Sequence, residues 1–137
     1  MEEDCIFCKI TEGKILATKL FESEKVLCFM DVFPASTGHC LVIPKKHHET
    51  ILNVPQEELC EIIKTVQKTA AAIEKATKCD GFNVFQSNHE IAGQAIKHVH
   101  FHIIPRYKND RLNFKWEPNK IELKELEEWQ KKIKNHF

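Results

Sequence analysis

The stretch His98-Val99-His100-Phe101-His102-Ile103-Ile104-Pro105-Arg106 alternates imidazoles with apolar side chains over its first six positions. Successive side chains of a β-strand point to opposite faces. The alternation therefore predicts a strand with His98, His100 and His102 on one face and Val99, Phe101 and Ile103 on the other. β-Branched and aromatic residues fill the apolar half, which favours a pleated element over a surface loop. A strand that gives one face to three imidazoles is committed to chemistry rather than to packing.

Working outward, Ser87–Gly93 is a polar loop leading into this strand, and Phe82–Phe85 is a strand that follows a turn at Asp80-Gly81. Leu59, Ile62, Ile63, Val66, Ala70 and Ile73 follow the i, i+3, i+4, i+7 pattern of an amphipathic helix. Pro55 suits its first turn, and Glu57 and Glu58 suit the positive end of its dipole. His39–Ile43 reads as a buried strand stopped by Pro44. Before it lie two strands at 19–23 and 26–30, joined by a tight turn at Ser23–Lys25, and a loop at 31–38 marked by Pro34 and Gly38. Beyond Arg106 a polar segment leads to a helix near Leu123–Ile133 with Leu123, Leu126, Trp129 and Ile133 as its apolar stripe. The architecture expected is α+β: an antiparallel sheet of about five strands with one long helix packed on it, plus a C-terminal helix. No repeat or linker divides the chain, so residues 1–106 form the main body and 107–137 an extension of the same domain.

A length of 137 residues is enough for one domain with a real core. The balance of 20 Lys and Arg against 20 Asp and Glu argues against a nucleic-acid or membrane-surface partner. Apolar runs fall far short of the roughly 20 residues needed to span a bilayer. The acidic start, Met1 to Asp4, lacks the features of a signal peptide, so a cytoplasmic location is expected. Cys28, Cys40 and Cys60 stand singly in apolar or helical stretches, which predicts reduced, buried thiols.

Three in-line imidazoles can serve two chemistries. Two of them could chelate zinc, but one ion cannot hold all three: at ~3.3 Å per residue the outer pair have Cα atoms ~13 Å apart. Alternatively, a neutral imidazole can attack phosphorus and carry the phosphoryl group until water removes it. Its neighbours would then fix the tautomer and stabilise charge on the phosphate oxygens. Asn88, Gly93 and Gln94 lie just upstream, where a loop could aim amides and backbone N–H groups at an anion, and Gly38-His39 opens another strand.

Gln94 followed by His98–Arg106 resembles the histidine triad (HIT) motif, His-φ-His-φ-His-φ-φ. The likeness extends from Cys5-Ile6-Phe7-Cys8-Lys9-Ile10, through Phe29-Met30-Asp31-Val32 and Gly38-His39-Cys40-Leu41-Val42-Ile43-Pro44-Lys45, to Arg106, and is nearest to the HINT-like branch of nucleotide hydrolases and transferases. The resemblance implies that His100 attacks the α-phosphorus of a nucleotide, that His102 and His39 contact phosphate, and that His98 supports the site. It implies that Asp31 holds the ribose hydroxyls, which suits an ionised carboxylate because it only accepts hydrogen bonds. Phe7, Ile10, Phe29 and Val32 correspond to residues lining the base pocket, with core packing as the alternative. Two positions depart from the pattern. Ala95 stands where the phosphoramidases commonly carry a proton-donating serine, which weakens the expectation of P–N cleavage. Ser87 aligns with a phosphate-contacting asparagine, with Asn88 beside it.

Cys5 and Cys8 form a Cys-x-x-Cys, half of many structural zinc sites, and His47 is well spaced to be a third ligand, with His48 as its competitor. A redox pair is the alternative, but that motif normally sits where a strand enters a helix, whereas this one lies near the N-terminus. Related zinc-containing members close such a site with the first histidine of the triad. By that analogy the ligands are Cys5, Cys8, His47 and His98, around a structural zinc, and catalysis needs no cofactor. The resemblance also implies a homodimer. Three functions follow: a hydrolase acting on purine nucleotide conjugates through His100, a nucleotide-binding or scaffold protein with vestigial hydrolysis, and a zinc hydrolase using the histidines as ligands.

Overall fold

In the computed structural model, which describes residues 3–137, the elements run α1 (Ile6–Thr11), β1 (Lys19–Glu22), β2 (Val26–Met30), β3 (Cys40–Pro44), α2 (Gln56–Thr77), β4 (Gly81–Gln86), β5 (Phe101–Arg106) and α3 (Leu123–Lys134). The strands form one antiparallel sheet in the order β1-β2-β3-β5-β4. This is the α+β architecture expected. Among the described residues no helix is long and apolar enough to cross a membrane.

Period-two alternation sorts the strand side chains into two cores. On one face Val26, Cys28, Cys40, Val42, Val99, Phe101 and Ile103 meet Ile62, Val66, Ala70 and Ile73 of α2 in a single buried cluster. On the other, Leu27, Phe29, Leu41 and Ile43 meet Cys5, Phe7, Cys8 and Ile10. Each large apolar side chain so buried contributes about 1.5–3 kcal/mol, so both faces stabilise the sheet. The second cover, α1, has no counterpart in the sequence reading. Six residues are too few for a periodic signal, and a helix this short persists only through what it packs against.

Helix α2 begins after Pro55, with Glu57 and Glu58 in its first turn, and ends at Lys78 in a left-handed conformation. Two residues assigned inward from the sequence lie outward instead. Ile63 is 47% exposed, because residues adjacent on a helix are ~100° apart and Ile62 takes the core direction. Cys60, expected to be buried, is exposed, while Cys28 and Cys40 are buried free thiols as expected. The apolar stripe of α3 is also exposed, with Trp129 at 53%.

The histidine strand is shorter than its alternation suggests. It starts at Phe101, so His98 and His100 precede it. Pairing with β3 runs Cys40↔Ile103, Leu41↔His102, Val42↔Phe101 and goes no further. Pro44 has no N–H to extend the ladder, and its carbonyl oxygen accepts a hydrogen bond from the His98 ring, Nε2 to O 2.8 Å. Val99 N–H turns instead to His48 O at 2.8 Å. The facing nevertheless persists, since Val99, Phe101 and Ile103 share the α2-side core.

Gly38 brings His39 to the start of β3, which the structure begins at Cys40 and not at His39, through a backbone angle open to glycine, φ +92°. A Cβ here would lie 2.9 Å from Thr77 Cγ2 and 3.1 Å from Pro105 Cγ. Gly38→Ala is therefore expected to cost about 1–3 kcal/mol, read as a lower urea midpoint at unchanged slope. An unchanged midpoint would show that the backbone there is not under this constraint.

Candidate active site and metal centre

The partners of each ring decide which nitrogen carries the proton. Ala35 N–H points at His39 Nδ1 (2.9 Å), so that nitrogen is the acceptor and the proton sits on Nε2. His39 Nε2 lies 2.9 Å from His102 Nδ1 and 3.5 Å from Asp31 Oδ2, so its N–H donates to His102. His102 Nδ1 is thereby the acceptor and His102 Nε2 keeps an N–H. His100 Nδ1 lies 2.7 Å from His98 O, a carbonyl that can only accept, which leaves the lone pair of His100 on Nε2. The rings of His100 and His102 are 4.9 Å apart. One imidazole thus offers a lone pair and its neighbour an N–H donor, the pairing that attack on an anionic centre needs.

Burial holds these rings neutral. It lowers the pKa of His39 against the opposing pull of Asp31, and lowers that of His100. It also brings His102 to about 4, helped by repulsion from His100 and His39. An unfolded histidine titrates near 6.5. Above that pH both states are neutral. Between about 6.5 and 4 the unfolded chain takes up protons that the native His102 resists, so stability falls as pH falls. The expected result is a Tm that drops from pH 7 to pH 5, with a smaller drop in His102→Asn. Equal drops in the two proteins would exclude His102 as a source.

A cavity of about 320 Å³ opens beside His100 and His102. Of the residues singled out in the sequence, Phe7, Ile10, Phe29, Asp31, Val32 and Gly93 also line it. Asp31 Oδ1 accepts from Phe33 N–H at 2.8 Å. Phe7 packs edge-on against His100 (centroids 5.3 Å) and His98 (5.7 Å).

His98 faces a second cluster. Its Nδ1 is 3.4 Å from Cys5 Sγ and 3.7 Å from Cys8 Sγ, and Cys8 Sγ is 3.4 Å from His47 Nδ1. All four ligand atoms lie within 4.8 Å of one another. Tetrahedral zinc with Zn–S ≈ 2.3 Å and Zn–N ≈ 2.0–2.1 Å sets S···N edges of about 3.5 Å, so the group fits such an ion. The bond from His98 Nε2–H to Pro44 O directs the Nδ1 lone pair into the cluster, as a ligating histidine requires. His47 joins the group; His48 instead bonds Glu58 at 3.2 Å. Asp31, His39 and His102 are equally close-set, also within 4.8 Å. There, however, a metal on His39 Nε2 would push the proton to Nδ1, facing the Ala35 N–H. The hydrogen-bond chain fits that arrangement and a cation does not.

A family model described as the HIT domain matches residues 12–109. The chain belongs to the HIT domain family. Among its relatives, the adenylylsulfatase HINT3 of Arabidopsis thaliana is 42% identical over 112 residues, covering 82% of this chain and 57% of that one. The adenosine 5'-monophosphoramidase HNT1 of Candida albicans is 40% identical over 106 residues, covering 74% and 70%. A HIT family protein from Bacillus anthracis superposes with a TM-score of 0.94 at 37% identity, covering 100% of this chain and 99% of its own. A Zn-bound histidine triad family protein from Mycobacterium smegmatis does so with a TM-score of 0.76 at 32% identity, covering 85% and 84%.

The HIT histidines are thus divided between two places: His100 and His102 line the cavity with His39 behind His102, while His98 belongs to the Cys/His group. Asn88 and Gln94 are outside the cavity lining, and their amides bond the segment before α2. The sequence reading missed Ile15, Leu16, Ala17 and Phe33, which also line the cavity, as does Ile96. The apolar run Ile15-Leu16-Ala17 between Lys14 and Thr18 was the available signal. It belongs to no regular element, so periodicity could not assign it a face.

Proposed function

We propose that the chain is a hydrolase or transferase that cleaves the α-phosphate bond of purine nucleotide conjugates, such as adenosine phosphoramidates, aminoacyl-adenylates or dinucleoside polyphosphates. The observation that carries this reading is the His100 ring, held through Nδ1–H by a backbone carbonyl so that its Nε2 lone pair is available beside the N–H of His102. In the proposed reaction the Nε2 lone pair attacks the α-phosphorus and the bond to the leaving group breaks, forming a nucleotidyl-histidine. Water then attacks the same phosphorus, releasing a nucleoside monophosphate and the free imidazole. His102 Nε2–H stabilises charge on the phosphate oxygens, and His39 fixes the tautomer of His102. Asp31 accepts hydrogen bonds from the ribose. Phe7, Ile10, Phe29 and Val32 hold the base by apolar contact, and the Gly93 backbone faces the phosphates. Relatives named as a monophosphoramidase and an adenylylsulfatase support the substrate class.

Zinc is the proposed occupant of Cys5, Cys8, His47 and His98, supported by the edge lengths above and by the Zn-bound relative. Its chemistry is structural. It would join α1 to His98, and the His98 carbonyl is the one that orients His100. The expected assembly is a cytoplasmic homodimer. A second reading, nucleotide binding with only weak hydrolysis, is favoured by Ala95, whose methyl-bearing side chain lines the cavity without a proton to give. The readings separate by rapid mixing with an α-32P-labelled adenylate and quenching in alkaline denaturant. Label carried on His100 is the expected result. Binding without label or product would favour the second reading.

A further inference from the structure

The segment 47–51, between β3 and α2, is engaged along its whole length. His47 Nδ1 approaches Cys8 Sγ at 3.4 Å. His48 O accepts from Val99 N–H at 2.8 Å, between His98 and His100. Glu49 O accepts from Gln94 Nε2 at 2.6 Å, and Ile51 N–H donates to Asn88 Oδ1 at 2.8 Å. The same two amides also hold the loop and its root: Gln94 Oε1 accepts from His89 N–H at 2.7 Å, and Asn88 Nδ2 donates to Gln86 Oε1 at the end of β4 at 2.6 Å. Gln94 is buried.

The loop so held has one short 3-10 turn of its own, Glu90–Ala92, with Gly93 N–H donating to Glu90 O at 2.9 Å. Gln86 and Phe101 pair with each other, and among the described residues those from 87 to 100 between them make no strand pairing. His89 sits at φ +70° and Gly93 at φ +90°, and a left-handed histidine persists only where its surroundings impose it. Yet this loop carries Gly93 and Ala95 to the cavity wall beside His100. Its two side-chain anchors both end on the segment that begins with a residue of the Cys/His group.

We infer that Gln94 and Asn88 are positioning residues that lock the 87–95 loop onto residues 49–51, and that the loop's order thereby depends on a metal held by Cys5, Cys8, His47 and His98. The consequence for turnover rests on the proposed function; the linkage itself does not. Gln94 suits the task because one amide supplies both an acceptor for His89 and a donor for Glu49. Asn88 likewise uses both ends of its amide, the oxygen receiving Ile51 N–H and the nitrogen donating to Gln86 Oε1.

The test is hydrogen exchange on the full-length protein, zinc-loaded and after chelation, with β3 amides as the internal reference. Chelation is expected to speed exchange in 87–95 by about tenfold or more, beyond any change in β3. Gln94→Ala is expected to retain zinc, to speed the same amides while zinc-loaded, and to respond less to chelation than wild type, because one of the two links is already cut. Asn88→Ala moves in the same direction. Loop exchange that ignores chelation in the wild type overturns the inference. So does an undiminished response in Gln94→Ala, or acceleration that reaches β3 equally in both alanine variants. In turnover, Gln94→Ala is expected to lower kcat by roughly 10- to 100-fold with KM nearly unchanged. Exchange is read without substrate, so a failure of the hydrolase reading leaves this result standing, and uncoupled exchange with intact turnover sinks the linkage alone.

Discussion

His100→Gly loses turnover by roughly 10⁴-fold or more while remaining folded. The magnitude follows from the roles of the two cavity imidazoles. His102 spends its Nδ1 lone pair on His39, so its remaining nitrogen bears a proton and cannot attack. His100 alone of the two presents a lone pair, because the His98 carbonyl takes its N–H. Removing it would therefore remove the proposed covalent route, whereas removing a supporting group would only weaken it. His102→Gln, which keeps an amide N–H, is expected to lose about 10- to 100-fold, in line with the loss of one anion-stabilising donor. The measurement is kcat/KM for release of nucleoside monophosphate from an adenosine phosphoramidate and an adenylate, with Tm recorded for each variant. Added imidazole is expected to restore part of the activity of the glycine variant by occupying the vacated space. If His100→Gly keeps turnover within tenfold of wild type, the nucleotidyl-histidine is not on the reaction path.

Cys5→Ser/Cys8→Ser is expected to lower Tm by about 10–20 °C and to abolish the zinc binding proposed for this group. Both thiols lie in the core that covers the cavity-side face of the sheet, so the metal would connect α1, the segment at His47 and the approach to β5 at one point. Serine keeps the shape but lacks the soft thiolate that zinc prefers. Without the ion, α1 is left with its apolar contacts and too few residues for helical stability of its own. Activity is expected to fall as well, because His98 is both a member of the group and the owner of the carbonyl that orients His100. The check is zinc per chain after purification without chelator, beside thermal melts with and without chelator. Stoichiometric zinc in the double variant would remove these cysteines from the metal centre. A chelator-sensitive Tm in that variant would point to another site.

Much of this was legible in the chain. The alternation at 98–103 specifies which residues face α2 whatever the strand boundaries, because period two is a property of extended backbone. The spacing of Ile62, Val66 and Ile73 specifies α2 for the corresponding reason at period 3.6. His100 as nucleophile and His39 as a phosphate contact rested on resemblance; the hydrogen bonds set His39 against His102, outside the cavity lining, and leave the lone pair of His100 on Nε2. The sequence could not show where β5 begins, since Pro44 halts the ladder only by lying opposite that part of the chain. Nor could it show α1 or Ile15–Ala17, which carry too few residues for any period.

By itself the sequence determined the α+β architecture, the two faces of the sheet and the residues that bring chemistry to one of them, because pattern and propensity act along the backbone. Tertiary structure alone decided between His47 and His48 as a companion of the two thiols, and which nitrogen of each ring carries the proton. It also turned the amides of Asn88 and Gln94 towards residues 49–51. Those outcomes depend on atoms brought within about 3 Å by separate stretches of chain, and no local pattern encodes a distance of that kind.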